Sequence, residues 1–307
     1  HNHTVGKSKS IIHTLPIQDF NRVLDRFGLG KTWHSVLATH LQRLERADLK
    51  YIFHEKEFKN IELQTFDFLN GLSVGEISVL YEYSLAYIDR DKRKQAGQYF
   101  TPDDIAQVMA KKALAFPKNK IWIDPCSGVG NLSFWLIQCQ KKKEDFLKHN
   151  IFLVDRDALA LFIARFILAI RFQKADSRLF VNIKSRFVVA DFLFSDAIPA
   201  HDYAILNPPY VGVEPDERFE TASARDLYAY FLERVIKTSI GFVSITPQTF
   251  TNGQKFNPLR KLLIDNFNNI DVYCFDNVPD NIFRGIMFGS KNTNTANSTL
   301  AGIIVAQ

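Results

Sequence analysis

Five short apolar runs each stop at a polar residue: "IWID" (121–124), "IFLVD" (151–155), "RFVVAD" (186–191), "YAILN" (203–207) and "IGFVSIT" (240–246). Runs this continuous are too short for helices and too uniformly apolar for half-exposed strands, so they read as strands buried on both faces. Helical stretches such as "NLSFWLIQCQ" (131–140) and "LALFIARFILAIRF" (159–172) lie between several of them. Strands alternating with helices predict βαβ units and a mostly parallel sheet, an α/β fold. Towards the end, "IDVYCF" and "STLAGIIVAQ" flank a polar stretch like the two arms of a hairpin, which predicts that the last two strands run antiparallel to each other.

The region before the first strand has a different period. "IQDFNRVLDRF", "WHSVLATHLQRL" and "EISVLYEYSLAYI" repeat apolar positions at steps of three and four, with glycine-containing breaks between them. They predict an all-helical domain over residues 1–95, followed by a second domain over 96–307. The basic run "RDKRK" (90–94) marks the join and reads first as a solvated charge run, with phosphate contact as the functional alternative. Just beyond it, Thr101-Pro102-Asp103-Asp104 looks like a helix start, with a capping hydroxyl, a proline in the first turn and carboxylates at the positive end of the helix. Asp103 itself reads as a helix-start carboxylate and nothing more.

Composition narrows the function classes. No apolar run reaches the roughly 18 residues that would span a bilayer. The opening "HNHTVGKSKS" lacks a signal-peptide core and reads as a tag remnant or frayed terminus. The three cysteines, Cys126, Cys139 and Cys274, have neither metal-ligand nor CxxC spacing. That predicts reduced thiols in a cytoplasmic setting and no metal site. A net charge of +5 permits a polyanionic partner without arguing for one. Three short matches are decoys. "HNH" (1–3) has no nuclease context, "GLGKT" (28–32) lacks the upstream glycine of a phosphate loop, and "HEKEF" (54–58) lacks a second histidine.

Ligands in open α/β sheets bind beyond the carboxyl ends of the strands, and the unusual residues collect there. Asp124 ends the first strand and is followed by a turn carrying Gly128 and Gly130, where the backbone can approach a ligand closely. Asp155 ends the second strand, in the place where an acidic side chain usually accepts from ribose hydroxyls. Asp191 ends the third. The fourth ends in Asn207-Pro208-Pro209-Tyr210, where two rigid residues hold a polar amide in front of an aromatic ring.

"GQYFTP" (97–102), "DPCSGVGN" (124–131) and "NPPY" (207–210), in that order, resemble the N6-adenine DNA methyltransferases of restriction–modification systems, in their gamma arrangement. "LYEYSLAYIDRDKRKQAGQYFTP" resembles the join between helical and catalytic domains in type I modification subunits and large type II enzymes. "DLYAYFLERV" (226–235) and "FVSITPQTF" (242–250) resemble the helix and strand that follow. The likeness covers roughly residues 75–305, with Val129 where a serine is common. It implies a seven-stranded Rossmann-like sheet of the S-adenosylmethionine-dependent type, preceded by the helical domain. The implied partners are double-stranded DNA and a specificity or restriction subunit or fused recognition domain.

The resemblance also implies roles. Gln98, Tyr99, Phe100, Thr101, Asp124, Gly128 and Gly130 would line the methionine end of S-adenosylmethionine. Asp155 would take its ribose, and Asp191 and Phe192 its adenine. Asn207 and the Pro208 carbonyl would accept the hydrogens of the target amine, with Pro209 keeping them rigid. Tyr210 and Phe283 would stack on the flipped base. Weaker resemblances run to the NPPY methyltransferases of release-factor glutamine and of rRNA guanine. A non-catalytic DNA- or cofactor-binding subunit would be expected to show a damaged NPPY or glycine loop, and both are intact.

Overall fold

The computed structural model describes residues 15–89, 101–274 and 301–307. Helix α1 (Ile17–Arg43) breaks at Gly28, whose φ of 74° and ψ of 179° interrupt the helical ladder where the sequence predicted a break. The "GLGKT" decoy therefore lies within a bent helix, not in a loop. Two 3₁₀ turns (Ala47–His54, Lys56–Phe58) lead to α2 (Val74–Ile88). A capping box starts α2: the Glu76 N–H donates to the Ser73 hydroxyl, and the Glu76 carboxylate accepts from the Ser73 N–H.

After α3 (Asp103–Ala113) the chain alternates as predicted. β1 (Trp122–Asp124), α4 (Asn131–Gln138), α5 (Lys143–His149), β2 (Ile151–Asp155) and α6 (Ala158–Phe172) come first. The short α7 (Leu179–Asn182), β3 (Phe187–Val189), β4 (Tyr203–Leu206), α8 (Leu227–Thr238), β5 (Gly241–Pro247), α9 (Asn257–Asn266), β6 (Ile270–Cys274) and β7 (Ala301–Ala306) follow.

The seven strands form one sheet in the order β3-β2-β1-β4-β5-β7-β6. β1 to β5 pair in parallel, and β7 is antiparallel to both β5 and β6. The last strand thus inserts between its two predecessors. The antiparallel pairing of β6 and β7 agrees with the hairpin-like sequence pattern.

Strand periodicity sends alternate side chains to opposite faces. Trp122, Leu153, Ile205, Val243 and Ile303 join one core, while Ile123, Val154, Leu206, Phe242 and Ile304 join the other. Helices α8 and α9 cover the second face through Leu232, Val235, Leu259 and Leu263. Helices α3, α4 and α6 cover the first, and the N-terminal helices lie in the same core. Phe58 packs against Phe162 and Phe166 at ring separations of 5.8 and 6.0 Å. Backbone contacts reinforce this packing: Arg46 donates to the Ile170 carbonyl at 2.8 Å, and Arg171 to that of Leu72 at 2.8 Å.

Candidate active site

The strand order reverses between β1 and β4, so the chain leaves these two neighbouring strands in opposite directions and opens a crevice at their carboxyl ends. Asp124 and Asn207 both line that crevice, together with Thr101, Gly128 and Asn131. Residues the sequence spreads over a hundred positions meet there.

Asn207 is held from two sides. Its Nδ2 donates to the Thr101 hydroxyl at 2.7 Å, and its Oδ1 accepts from the Tyr210 hydroxyl at 3.0 Å. The Ile245 carbonyl lies 2.9 Å from the same hydroxyl, so the single Tyr210 proton is shared between the two acceptors, and the ring meets Tyr228 edge-on. On the far side, the Cys126 thiol donates to the Asn207 carbonyl at 3.4 Å. Burial pushes that thiol well above its usual range, so it stays protonated and can donate.

These contacts correct one expectation. Thr101 does not cap α3: the capping position is Pro102, and no side chain accepts there. The Thr101 hydroxyl is spent on Asn207 instead, and its carbonyl accepts from Asn131 Nδ2 at 2.8 Å. Asp103 is also more than a helix-start carboxylate. It accepts from Trp135 Nε1 at 3.1 Å and from the Ser73 hydroxyl at 3.0 Å, tying the start of α2 to α4.

The glycine turn is built around Asp155. Its Oδ2 accepts from the Gly128 N–H and its Oδ1 from the Asp157 N–H, both at 2.8 Å. Gly128 (φ 53°) and Gly130 (φ 91°) both sit in the left-handed region that favours glycine. A Cβ on Gly130 would lie 3.3 Å from that of Ala164, whereas one on Gly128 would meet nothing within 4 Å. Gly130 packs the turn onto α6, and Gly128 leaves the space above the turn open.

Asp124 is fully buried. Its Oδ2 accepts from the Ser133 hydroxyl at 3.0 Å, but its Oδ1 has no partner, and neither does Oδ1 of Asn131. Burial drives the Asp124 pKa up to about 7, against the opposing pull of Ser133 and the Cys126 N–H. Two orphaned acceptors facing a crevice fit a ligand that brings N–H donors, as the methionine end of S-adenosylmethionine does. Asp155 is not among the residues lining that crevice, although a carboxylate accepts about four hydrogen bonds and its two backbone contacts leave it lone pairs.

Asp191 lies half-buried beyond β3, and its Oδ1 accepts from the Leu193 N–H at 3.0 Å. Phe192 is buried and stacks on Phe231, so that partner already covers one ring face. Pro208 and Pro209 are buried behind Asn207. Gln98, Tyr99, Phe100 and Phe283 lie outside the described residues. Two further lining residues, Ser78 and Glu82, come from α2 and escaped the sequence reading. Their signal is two polar positions, four apart, on a helix face otherwise filled by apolar side chains. Among the described residues, no group of three or more His, Cys, Asp or Glu side chains could hold a metal ion. No helix among them is long and apolar enough to cross a membrane.

A family model described as N-6 DNA methylase matches residues 74–292, most of the chain. The chain belongs to that family. It is 24% identical over 229 residues to the type II methyltransferase M.PstI of Providencia stuartii, covering 64% of this chain and 42% of that one. Among solved structures it resembles a DrdV–DNA complex (TM-score 0.63, 14% identity, 93% of this chain and 36% of that one). It also resembles a putative class I S-adenosylmethionine-dependent methyltransferase of Listeria monocytogenes (TM-score 0.52, 14% identity, 100% and 88%). The fold is therefore the Rossmann-like sheet of this family, and the chain spans less than half the length of M.PstI.

Proposed function

We propose that this chain transfers a methyl group from S-adenosylmethionine to the N6 amine of an adenine flipped out of double-stranded DNA, as the modification activity of a cytoplasmic restriction–modification system. One observation carries the reading. The Asn207 amide, fixed by Thr101 and Tyr210, faces the same crevice as the orphaned oxygen of Asp124. Family membership supports it, as does the likeness to a protein solved in complex with DNA.

When bound, the cofactor supplies a methyl group on a positively charged sulfur. The chain's task is to present a poor nucleophile correctly, because the adenine amine's lone pair is delocalised into the ring. Asn207 Oδ1 can be shared between the Tyr210 hydroxyl and one amine hydrogen, since an amide oxygen accepts two hydrogen bonds. The Pro208 carbonyl would accept the other hydrogen. Together they draw the nitrogen towards tetrahedral geometry and aim its lone pair at the crevice. The contacts with the Thr101 and Tyr210 hydroxyls hold the amide from both ends. This is preorganised orientation and electrostatics, without a strong base.

Asp124, Gly128 and Gly130, with Gln98 to Thr101, would hold the methionine end, Asp155 the ribose, and Asp191 with Phe192 the adenine of the cofactor. Tyr210 and Phe283 would receive the flipped base. Sequence recognition would come from a further domain or a specificity subunit. The test is transfer of tritium from labelled cofactor to DNA, to RNA and to a peptide release factor. DNA should accept the label, and Asn207→Ala should slow single-turnover transfer about 10²–10³-fold with cofactor binding nearly intact. Label appearing only in RNA or release factor, or transfer at the wild-type rate by Asn207→Ala, would overturn the proposal.

A further inference from the structure

Helix α2 belongs to the N-terminal helical region, yet it forms part of the crevice wall. It is pinned at two points. The Ser73 hydroxyl at its start donates to Asp103, and the buried Tyr81 hydroxyl donates to Asp157, the residue that caps α6. Ser78, Tyr81 and Glu82 stand three and four residues apart and therefore share one face. With Tyr81 fixed on Asp157, Ser78 and Glu82 are turned into the crevice, where both are lining residues.

The wall they complete presents acceptors. Asp124 Oδ1 and Asn131 Oδ1 are buried without partners, and Asn131 Nδ2 is committed to the Thr101 carbonyl. The Ser78 hydroxyl donates its proton to the Val74 carbonyl at 3.1 Å, so it offers the crevice lone pairs. Glu82 adds a half-buried carboxylate, which can accept about four hydrogen bonds and so can hold more than one donor at once. Buried acceptors leave a cost that a donor must remove, and a primary ammonium brings three N–H groups and a positive charge in one compact head. The amino-acid end of the cofactor carries that group.

We propose that Glu82, assisted by Ser78, binds the α-ammonium group of S-adenosylmethionine from the helical region, in the crevice that Asp124 also lines. The inference rests on the cofactor reading above and adds to it: the site is incomplete without α2, and the cofactor bridges the helical region and the sheet.

Calorimetry on the full chain tests it with two ligands, S-adenosylmethionine and 5′-methylthioadenosine, which lacks the whole amino-acid end. In Glu82→Gln, affinity for S-adenosylmethionine should fall about tenfold or more, the loss of one charge-assisted contact. Affinity for 5′-methylthioadenosine should stay at the wild-type value, which also shows that the crevice is intact. Ser78→Ala should show the same selectivity with a smaller loss. Unchanged S-adenosylmethionine affinity in Glu82→Gln would overturn the inference alone, as would equal weakening of both ligands. Wild-type protein that binds neither ligand would overturn the cofactor reading itself, and this inference with it.

Discussion

Asp124 and Asp155 end neighbouring parallel strands, and both are nearly sealed from water, at 0% and 6% exposure. Burial raises the pKa of both. Their surroundings nevertheless give them different work. Asp155 has a backbone N–H on each oxygen and fastens the glycine turn to the start of α6. Asp124 has a partner on only one oxygen, and it lines the crevice. The lesson is that an acidic strand end in this fold is not one kind of site. The accounting of its hydrogen bonds separates a residue whose two oxygens both fasten the turn from one that keeps an oxygen unpartnered.

Replacing each aspartate by asparagine should break the symmetry, and the largest effect should fall on Asp155. Asp155→Asn puts an amide nitrogen against a backbone N–H that needs an acceptor. Unfolding in urea should show a loss of about 1–3 kcal/mol even without cofactor. An unchanged midpoint would show that the turn does not depend on this carboxylate.

A smaller, opposite pattern is expected for Asp124→Asn. The substitution removes a buried charge while keeping an oxygen for Ser133, so the free protein should unfold at pH 8 no more readily than wild type. Affinity for S-adenosylmethionine, measured by calorimetry, should fall about tenfold. If Asp124→Asn instead destabilises as Asp155→Asn does, the two aspartates share one structural role and the contrast disappears.

The smallest effect concerns protons. With a pKa near 7 in the free protein, Asp124 is largely protonated at pH 6. A bound cation favours the ionised form and lowers that pKa, so binding should release a proton in this range, and affinity should rise about a few-fold from pH 6 to pH 8. Calorimetry in buffers of different ionisation enthalpy measures the release directly. Asp124→Asn should abolish it; release that persists in that variant would assign the proton elsewhere.

The sheet was legible because strands buried on both faces leave unbroken apolar runs, and each run's polar end marks the binding edge. Asp124, Gly128 and Asn207 could be picked out for that reason, and they share one crevice. Thr101 lines the crevice, but the capping role expected of it fails because Thr-Pro-Asp-Asp satisfies the local rules for a helix start without forming that cap. Its actual partner, Asn207, lies 106 residues away, and no local rule can see that far. Ser78 and Glu82 were passed over for a related reason. On a helix with so many buried apolar positions, two polar side chains look like exposed filler until the sheet is placed beneath them. The position of β7 was equally hidden: a hairpin-like pattern predicts antiparallel arms but says nothing about which arm lies next to β5.

That placement bears on how the chain is made. β5 is buried along all seven of its residues, and the partner for its outer edge is β7, not β6. β5 and β6 both precede β7 in the chain, and in the finished sheet they are not neighbours. The β5 edge is therefore closed only when β7 arrives, carrying β6 as its antiparallel partner on the outer side. Until residues 301–306 leave the ribosome, the edge of β5 is a flat, apolar template for any other extended chain nearby. A nascent protein stalled just short of that point would carry an intact crevice and an unprotected edge.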